Sequence, residues 1–167
     1  MTNVRPERPG DEPAVRAILN ASFPTGAEAK LVDLLREAGR LAVSLVAEAD
    51  GEVVGHVAFT PVTTERGETG AGLAPLAVAP AHRERGVGAM LVAAGLSACR
   101  EAGFGWCVVL GDPHYYARFG FRPAQVVGLH DEYDGGPHFQ VVELAHDALP
   151  VGAGLVRYAP EFDSLAV

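Results

Sequence analysis

The chain has 167 residues, a net charge of −8 and 49% hydrophobic residues, enough apolar material for the core of one domain. Its 21 acidic against 13 basic residues exclude a protein whose main partner is the phosphate backbone of nucleic acid, because such binding needs a net basic face. The N-terminus lacks the apolar core of a signal peptide, and no stretch approaches the ~20 apolar residues of a membrane span. We therefore expect one soluble, cytoplasmic domain over residues 1–167.

The first third of the chain predicts a strand, two helices and a hairpin. Residues 3–6 are typical of a short strand, and Asp11 is placed to cap a helix that ends near Phe23-Pro24. A second helix in "AEAKLVDLLREAG" ends at Gly39. Two β-rich runs in "LAVSLVAEADGEVVGHVAFTPV" are joined by Asp50-Gly51, which suits a type I′ turn and predicts an antiparallel hairpin.

The rest of the chain alternates predicted strands with helices. A strand in "LAPLAVAP" contains Pro75, which indicates a bulge or an interrupted ladder, and a long helix runs from about Gly86 to Ala102. The apolar run "WCVVLG" is typical of a buried strand and, because a helix precedes it, of one parallel to the strand before. "DPHYYARFG" predicts a short helix ending at Gly120, and further strands are expected in "RPAQVVGL", "HFQVVELA" and "LVRYA".

The cysteines and histidines favour no metal or redox site. Cys99 and Cys107 lack CxxC spacing and are predicted to be core thiols. His130, His138 and His146 lie eight residues apart, without the short spacing of metal ligands, so we expect no metal. No G-x-S-x-G sequence supports serine hydrolase chemistry.

The segment "HRERGVGAML" places two glycines at the start of an apolar helix, although each glycine weakens a helix interior by roughly 1 kcal/mol. A helix N-terminus offers unpaired N–H groups to an anion, and Arg83 and Arg85 add local positive charge. The segment lacks both the third glycine of GxGxxG and a GxxxxGK[ST] loop. This pattern favours a phosphate or pyrophosphate ligand. In the alternative interpretation, the glycines only permit close helix-to-strand packing and the arginines are solvated.

These residues carry a resemblance to a known family. "LAVAPAHRERGVGAML" resembles the acetyl-coenzyme A binding segment of the GNAT N-acetyltransferases, in which V-x-P is followed by [RQ]-x-x-G-x-[GA]. A second family pattern, Y-x-x-x-G-F, is matched by the run from Tyr116 to Phe121. The likeness covers essentially the whole chain and looks like a branch of small bacterial GNAT enzymes. In one departure, 111–114 replace an Asn and a longer helix that many relatives carry after the fifth strand.

The resemblance implies a fold and a cosubstrate. The fold would be the α/β GNAT fold, a mixed and mostly antiparallel sheet splayed at strands 4 and 5 and flanked by helices. Acetyl-CoA would bind with its pantetheine in the splay and its pyrophosphate on backbone N–H groups at the helix start, and no metal would be needed. The matching positions are Leu76, Ala77 and Val78 for the pantetheine, and Arg83, Glu84, Arg85, Gly86, Val87 and Gly88 for the pyrophosphate.

The resemblance also implies direct acetyl transfer to a primary amine, either a small amine or a peptide amine. Tyr116 matches the family's general acid, since a phenol with a reference pKa of about 10 stays protonated at pH 7 and can donate to a departing thiolate. Two alternatives stay open: that Tyr115 and Tyr116 are core or rim aromatics, and that the chain is a non-catalytic acyl-CoA binding or sensing module.

The general base, the acceptor and the assembly are less defined by the sequence. Glu65, Glu68 and His56 are candidate bases, with solvated carboxylates and a packed histidine as the alternative. Three acidic residues could attract a cationic acceptor: Glu28, Asp131 and Glu132. A homodimer stays open as well.

Overall fold

A computed structural model describes residues 1–165 of the chain. Within these residues the chain forms nine strands and four α-helices, separated by turns rich in glycine and proline. None of the helices within these residues is long and apolar enough to cross a bilayer. The strands are β1 (Thr2–Pro6), β2 (Val43–Ala49), β3 (Glu52–Thr64), β4 (Thr69–Val78), β5 (Trp106–Leu110), β6 (Arg122–Pro123), β7 (Leu129–Asp131), β8 (Phe139–Glu143) and β9 (Gly154–Arg157). The α-helices are α1 (Glu12–Ser22), α2 (Ala27–Glu37), α3 (Val87–Glu101) and α4 (Pro113–Tyr116).

The chain forms two units, each assembled from separate segments. The first unit contains Met1–Phe59, Ala74–Gly95 and residues 160–165, and the second contains Thr60–Leu73 and Leu96–Ala159. Strands β3 and β4 and helix α3 each have residues in both units.

In the first unit, β1, β2 and β3 are consecutive antiparallel neighbours. The β2–β3 turn joins Ala49 to its partner Glu52 through Asp50 and Gly51, whose φ angles are 52° and 82°. Positive φ at both central residues is the requirement of a type I′ turn. The predicted hairpin is therefore confirmed.

Helices α1 and α2 each bury one apolar face in a hydrophobic cluster, which includes Val15, Leu19, Val32 and Val46. The prediction that the Asp11 side chain caps α1 is wrong. Its carboxylate accepts hydrogen bonds from the Arg5 guanidinium at 2.8 and 3.0 Å and from the Arg8 N–H at 2.8 Å, and makes no capping bond. The guanidinium offers two parallel bonds and a full positive charge, whereas a capping N–H offers one bond from a neutral donor, so the long-range partner prevails.

Two glycines in the first unit allow close packing of α3 on the sheet. A Cβ added to Gly95 would lie 2.2 Å from Phe59 Cε1, and one added to Gly55 would lie 2.9 Å from Leu91 Cδ1. Both distances are shorter than real Cβ contacts, so a side chain at either position would force its neighbours to shift. Close approach of helix and strand therefore depends on Gly55 and Gly95.

In the second unit, the strands follow the order β3-β4-β5-β8-β6, while β9 pairs with β3 and β7. The β4–β5 ladder is parallel and runs from the pair Ala71 and Cys107 to the pair Leu73 and Val109. It stops two residues before Pro75, as an interrupted ladder requires. The β5–β8, β6–β8 and β3–β9 pairs are antiparallel and the β7–β9 pair is parallel. The predicted mixed, mostly antiparallel sheet is confirmed.

The tail differs from the prediction in one segment. In "RPAQVVGL", the first two residues form β6, Ala124–Val127 is a 3-10 helix that ends at Gly128 with φ of 79°, and Leu129 begins β7. Ala124 is fully buried whereas Val126 is 67% exposed, so this apolar run serves a tight turn rather than a strand face. Gly120, with φ of 92°, ends the short helical segment after β5 as predicted.

Cys99 and Cys107 are free thiols in the second unit, and both are buried. Burial raises the pKa of Cys99 to about 12 and raises the pKa of Cys107 well above its ordinary range. The prediction that both are core thiols is confirmed.

Candidate active site

The end of β4 and the loop that follows it form a candidate anion-binding segment in the first unit. Ala77 is buried while Leu76 and Val78 are half-buried, as expected for successive strand residues on opposite faces. The strand end is fixed by the Ala79 N–H, which donates to Val54 O at 2.7 Å. A short 3-10 turn, Pro80–His82, then leads into the loop.

The Arg83 side chain holds this loop in place. Its Nε donates to Val78 O at 2.9 Å, and its Nη2 donates to Ser22 Oγ at 3.2 Å. Ser22 in turn donates to Ile18 O at 2.7 Å, in the last turn of α1. The Arg83 guanidinium therefore ties the loop to the ends of β4 and α1.

The backbone of the loop adopts left-handed conformations that favour glycine. Gly86 has φ of 78° and Glu84 has φ of 62°. A Cβ added to Gly86 would have no heavy atom within 4 Å, in contrast to the crowded Gly55 and Gly95. Gly86 is therefore not required for packing, and the alternative that explains it by close helix-to-strand contact is not supported.

Helix α3 begins directly after Gly86, whose carbonyl accepts the Met90 N–H at 3.0 Å. The N–H groups of Val87, Gly88 and Ala89 precede that first intrahelical bond and have no partner within the helix. The first turn of α3 carries no acidic residue that would compete for them. Residues 83–86 are exposed, so the positive end of the helix dipole is open to an anion.

Tyr116 lies in the second unit, at the end of α4. The Asp112 side chain caps this helix by accepting the His114 N–H at 2.9 Å, and the Asp112 carbonyl accepts the Tyr115 and Tyr116 N–H groups at 3.1 Å. The Tyr116 ring packs edge-on against Tyr115 at 5.0 Å and Phe121 at 5.7 Å between centroids. The cap and the aromatic contacts together fix the ring.

The environment of Tyr116 keeps its phenol protonated. Burial, followed by the nearby Tyr115 and Cys107, raises the pKa of Tyr116 to about 12. Within residues 1–165 the hydroxyl makes no hydrogen bond, and it is not sealed from solvent. Such a hydroxyl can donate a proton or a hydrogen bond to a bound molecule.

His56 is enclosed in the first unit. It is fully buried, with Nε2 at 2.9 Å from Ser44 Oγ and 3.4 Å from Glu7 Oε1. Burial alone would raise the pKa of Glu7, but hydrogen bonds from His56, Ser44 and Arg36 outweigh it and lower that pKa to about 2. This arrangement favours the packed-histidine alternative over a general base.

The other candidate bases occupy the turn between β3 and β4. Glu68 pairs with Arg66 at 2.7 Å and accepts a hydrogen bond from Thr64, and these two bonds lower the pKa of Glu68. Glu65 is exposed. The structure thus gives each of these carboxylates the setting of a surface turn.

The acidic residues considered for acceptor binding are partly engaged in loop structure. Asp131 accepts the N–H groups of Tyr133 at 3.1 Å and Gly135 at 2.8 Å, and Glu132 accepts the Tyr158 N–H at 2.9 Å. Glu28 is half-buried on α2. Among residues 1–165, no group of three or more His, Cys, Asp or Glu side chains is arranged to hold a metal ion.

Gln140 is a buried residue of β8 that contacts the segment leading to Tyr116, and it was not predicted from the sequence. The signal that could have found it is a lone amide inside the apolar run "HFQVVELA". A polar side chain at such a position needs a specific partner.

The chain resembles known proteins in both sequence and structure. Residues 12–121 match the model of the acetyltransferase (GNAT) family. The chain is 44% identical over 163 residues to the uncharacterized N-acetyltransferase YhbS of Escherichia coli K12, covering 96% of this chain and 98% of YhbS.

Two crystal structures have the same fold. That of YhbS from Escherichia coli in complex with CoA has a TM-score of 0.91 at 44% identity, covering 97% of this chain and 92% of that one. That of a GNAT family acetyltransferase from Brucella melitensis in complex with acetyl-CoA has a TM-score of 0.81 at 38% identity, covering 98% and 99%. The fold, the loop before α3 and these matches lead to one conclusion: the chain belongs to the GNAT family of acetyltransferases.

Proposed function

We propose that this protein is an N-acetyltransferase that moves the acetyl group of acetyl-CoA to a primary amine by direct attack. The observation that carries the proposal is the loop before α3, where Gly86 has φ of 78° and open space around it. The CoA and acetyl-CoA complexes of the two crystallised relatives support the choice of cosubstrate. No metal is required.

The first unit supplies the groups for the cosubstrate. The backbone N–H groups of residues 83–88 bind the pyrophosphate, because the exposed loop and the helix dipole both favour an anion there. The backbone of Leu76, Ala77 and Val78 pairs with the amide groups of the pantetheine. Arg83 contributes mainly by fixing the loop, since its guanidinium donates to Val78 O and Ser22 Oγ.

The reaction joins nitrogen to the acetyl group and releases a thiol. The lone pair of a neutral amine attacks the thioester carbonyl carbon, the C–N bond forms, and the C–S bond breaks with its electron pair on sulfur. Tyr116 acts as general acid and gives its phenolic proton to that sulfur. The proton that the new amide nitrogen sheds passes to water, and the tyrosinate is reprotonated from solvent.

The raised pKa of Tyr116 has two opposite effects on this role. A pKa of about 12 means that nearly every Tyr116 carries its proton at neutral pH. The same shift reduces the driving force for transfer to a thiolate, whose reference pKa is about 8.5. Donation therefore accompanies C–S cleavage, when the negative charge on sulfur is developing, rather than preceding it.

The proposal is tested by the release of free CoA thiol from acetyl-CoA across a panel of small primary amines, polyamines, and peptides with free N-termini or lysines. We expect thiol release that depends on one acceptor class and is matched by acetylated product. Tight binding of acetyl-CoA with no acceptor-dependent release from the whole panel would instead identify a non-catalytic acyl-CoA binding or sensing module.

A further inference from the structure

Gln140 is a polar side chain in a strand that otherwise buries apolar residues. It lies on β8 between Phe139 and Val141, and all three are at most 1% exposed. Its backbone pairs with Val109 of β5 on one side and Pro123 of β6 on the other. A buried amide at the centre of a sheet costs free energy unless its hydrogen-bonding groups find partners.

The two ends of the Gln140 amide have different environments. Nε2 donates to Gly111 O at 3.1 Å and to His138 O at 3.3 Å, which fixes the orientation of the amide because both acceptors are carbonyls. Oε1 is sealed from solvent and has no partner within the described residues. A residue selected only for stability would not leave a buried acceptor unpaired, since an apolar side chain of the same shape avoids that penalty.

Gly111 is the residue that connects Gln140 to Tyr116. Its N–H donates to His138 O at 3.0 Å and its carbonyl accepts from Gln140, so both of its polar backbone atoms are anchored to residues 138–140. A Cβ added to Gly111 would lie 2.5 Å from Tyr116 Cε2 and 3.1 Å from Cδ2. The Gly111 backbone is therefore a wall against the Tyr116 ring on its Cε2 side.

The anchor also sets the start of α4. Asp112 follows Gly111 directly, and its side chain and carbonyl together accept the N–H groups of His114, Tyr115 and Tyr116. A shift of the Gly111 peptide would move this cap and the wall at the same time. The position of the Tyr116 hydroxyl consequently depends on the hydrogen bond to Gly111 O.

From these contacts we infer that Gln140 is a positioning residue for Tyr116, acting through the Gly111 carbonyl. The inference rests on the proposed role of Tyr116 as general acid. Gln140 does not touch the reacting atoms. Its Nε2 holds the Gly111 peptide against which the tyrosine ring packs, and this orientation of the amide leaves Oε1 without a partner within the described residues.

The test combines a spectroscopic and a kinetic measurement on Gln140→Met. This change keeps the length and apolar stem of the side chain and removes both the donor and the unpaired acceptor. It leaves Gly111 O without its donor, so the melting temperature should fall by a few degrees while the chain stays folded. Gln125→Met is the matched control, because Gln125 is exposed on the 3-10 helix after β6. With isotope-labelled tyrosine, the Tyr116 ring signal, assigned by its loss in Tyr116→Phe, should shift or broaden in Gln140→Met and not in Gln125→Met.

The kinetic arm is a double-mutant cycle with the best amine of the panel. We expect kcat to fall ~10-fold in Gln140→Met with KM for acetyl-CoA within about twofold, and to fall by less than about twofold when the same change is made in Tyr116→Phe. An unchanged Tyr116 ring signal overturns the inference whether or not the tyrosine is an acid. Additive losses of kcat in the double variant would also overturn the inference, because they would mean that Gln140 affects the rate independently of the Tyr116 hydroxyl.

The two proposals fail in different ways. Full activity of Tyr116→Phe would refute the general acid, while a displaced ring signal in Gln140→Met would still support the positioning contact. Gln140→Glu provides a second variant: the protonated carboxyl can donate to Gly111 O, so activity should be present at low pH and lost as that carboxyl ionises. Activity of Gln140→Glu that is independent of pH over the range where the parent is constant would count against the Gly111 bond.

Discussion

Replacement of Tyr116 by phenylalanine removes one hydroxyl and tests the chemistry most directly. The ring contacts with Tyr115 and Phe121 do not involve the oxygen, and the hydroxyl makes no hydrogen bond within residues 1–165. We therefore expect the free energy of unfolding to change by less than ~1 kcal/mol. Only the proton donor is lost.

The size of the kinetic effect follows from the pKa of the phenol. General acids typically contribute about 10² to 10⁴ in rate. Because the pKa of Tyr116 is about 12, its driving force toward a thiolate is weaker than that of an ordinary tyrosine, which places the loss at the low end. Allowing also for water as a substitute donor, kcat should fall at least ~10-fold, or ~1.4 kcal/mol in the barrier, with CoA affinity unchanged.

The assay is steady-state thiol release with an identified acceptor, measured over pH for the parent, Tyr116→Phe and Tyr115→Phe. Tyr115 is the matched control, since it is half-buried beside Tyr116 and Arg118 lies 4.4 Å from its ring centre. Tyr115→Phe should retain the parent rate. Equal kcat in the parent and Tyr116→Phe would refute the general acid and leave ordered water or unassisted thiolate departure in its place.

Three further changes test the rest of the molecule. Gly88→Glu places a carboxylate at the proposed pyrophosphate position, so calorimetry should show CoA binding abolished while circular dichroism shows the fold retained, and unchanged affinity would refute the site. Glu7→Gln removes a carboxylate whose pKa is held at about 2 against an ordinary value of 4.5. The parent's advantage in unfolding free energy, about 3 kcal/mol, should therefore be present above pH 4.5 and vanish as pH falls toward 2. A gap between parent and variant that is the same at pH 3 and pH 7 would contradict the network around His56. Gly95→Ala should lower the melting temperature, because overpacking against Phe59 costs ~1–3 kcal/mol and exceeds the helix propensity gained; a higher melting temperature would mean that the contact relaxes.

Most of the fold was predicted from short stretches of sequence that mark turns and helix ends. The dipeptide Asp50-Gly51 predicts its turn because a type I′ turn needs positive φ at both central residues, and Asp and Gly adopt such angles without help from distant parts of the chain. Gly39 and Gly120 end helical segments for the same reason, with φ of 70° and 92°. The start of α3 also lies within one residue of its predicted position.

The features that escaped prediction depend on residues distant in the chain. Asp11 has the identity of a helix cap, yet Arg5 of β1 takes its carboxylate. In the sequence, Gln140 looks like an ordinary strand residue. Only the fold brings its Nε2 within 3.1 Å of the carbonyl oxygen of Gly111, 29 positions earlier in the chain. The candidate functional residues differ in the same way: the glycine loop is a contiguous motif, whereas the support of Tyr116 comes from a strand that follows it in the chain.

The burial of both cysteines affects how this protein can be assayed. Thiol reagents react with thiolates, and burial in the folded chain raises the pKa of Cys99 to about 12 and that of Cys107 well above its ordinary range. A colorimetric reagent added to a reaction at neutral pH should therefore report CoA with almost no background from the enzyme. Because the chain has 2 cysteines, unfolding during a measurement would add two equivalents of thiol per chain. That fixed stoichiometry makes the same reagent an internal gauge of how much enzyme has denatured.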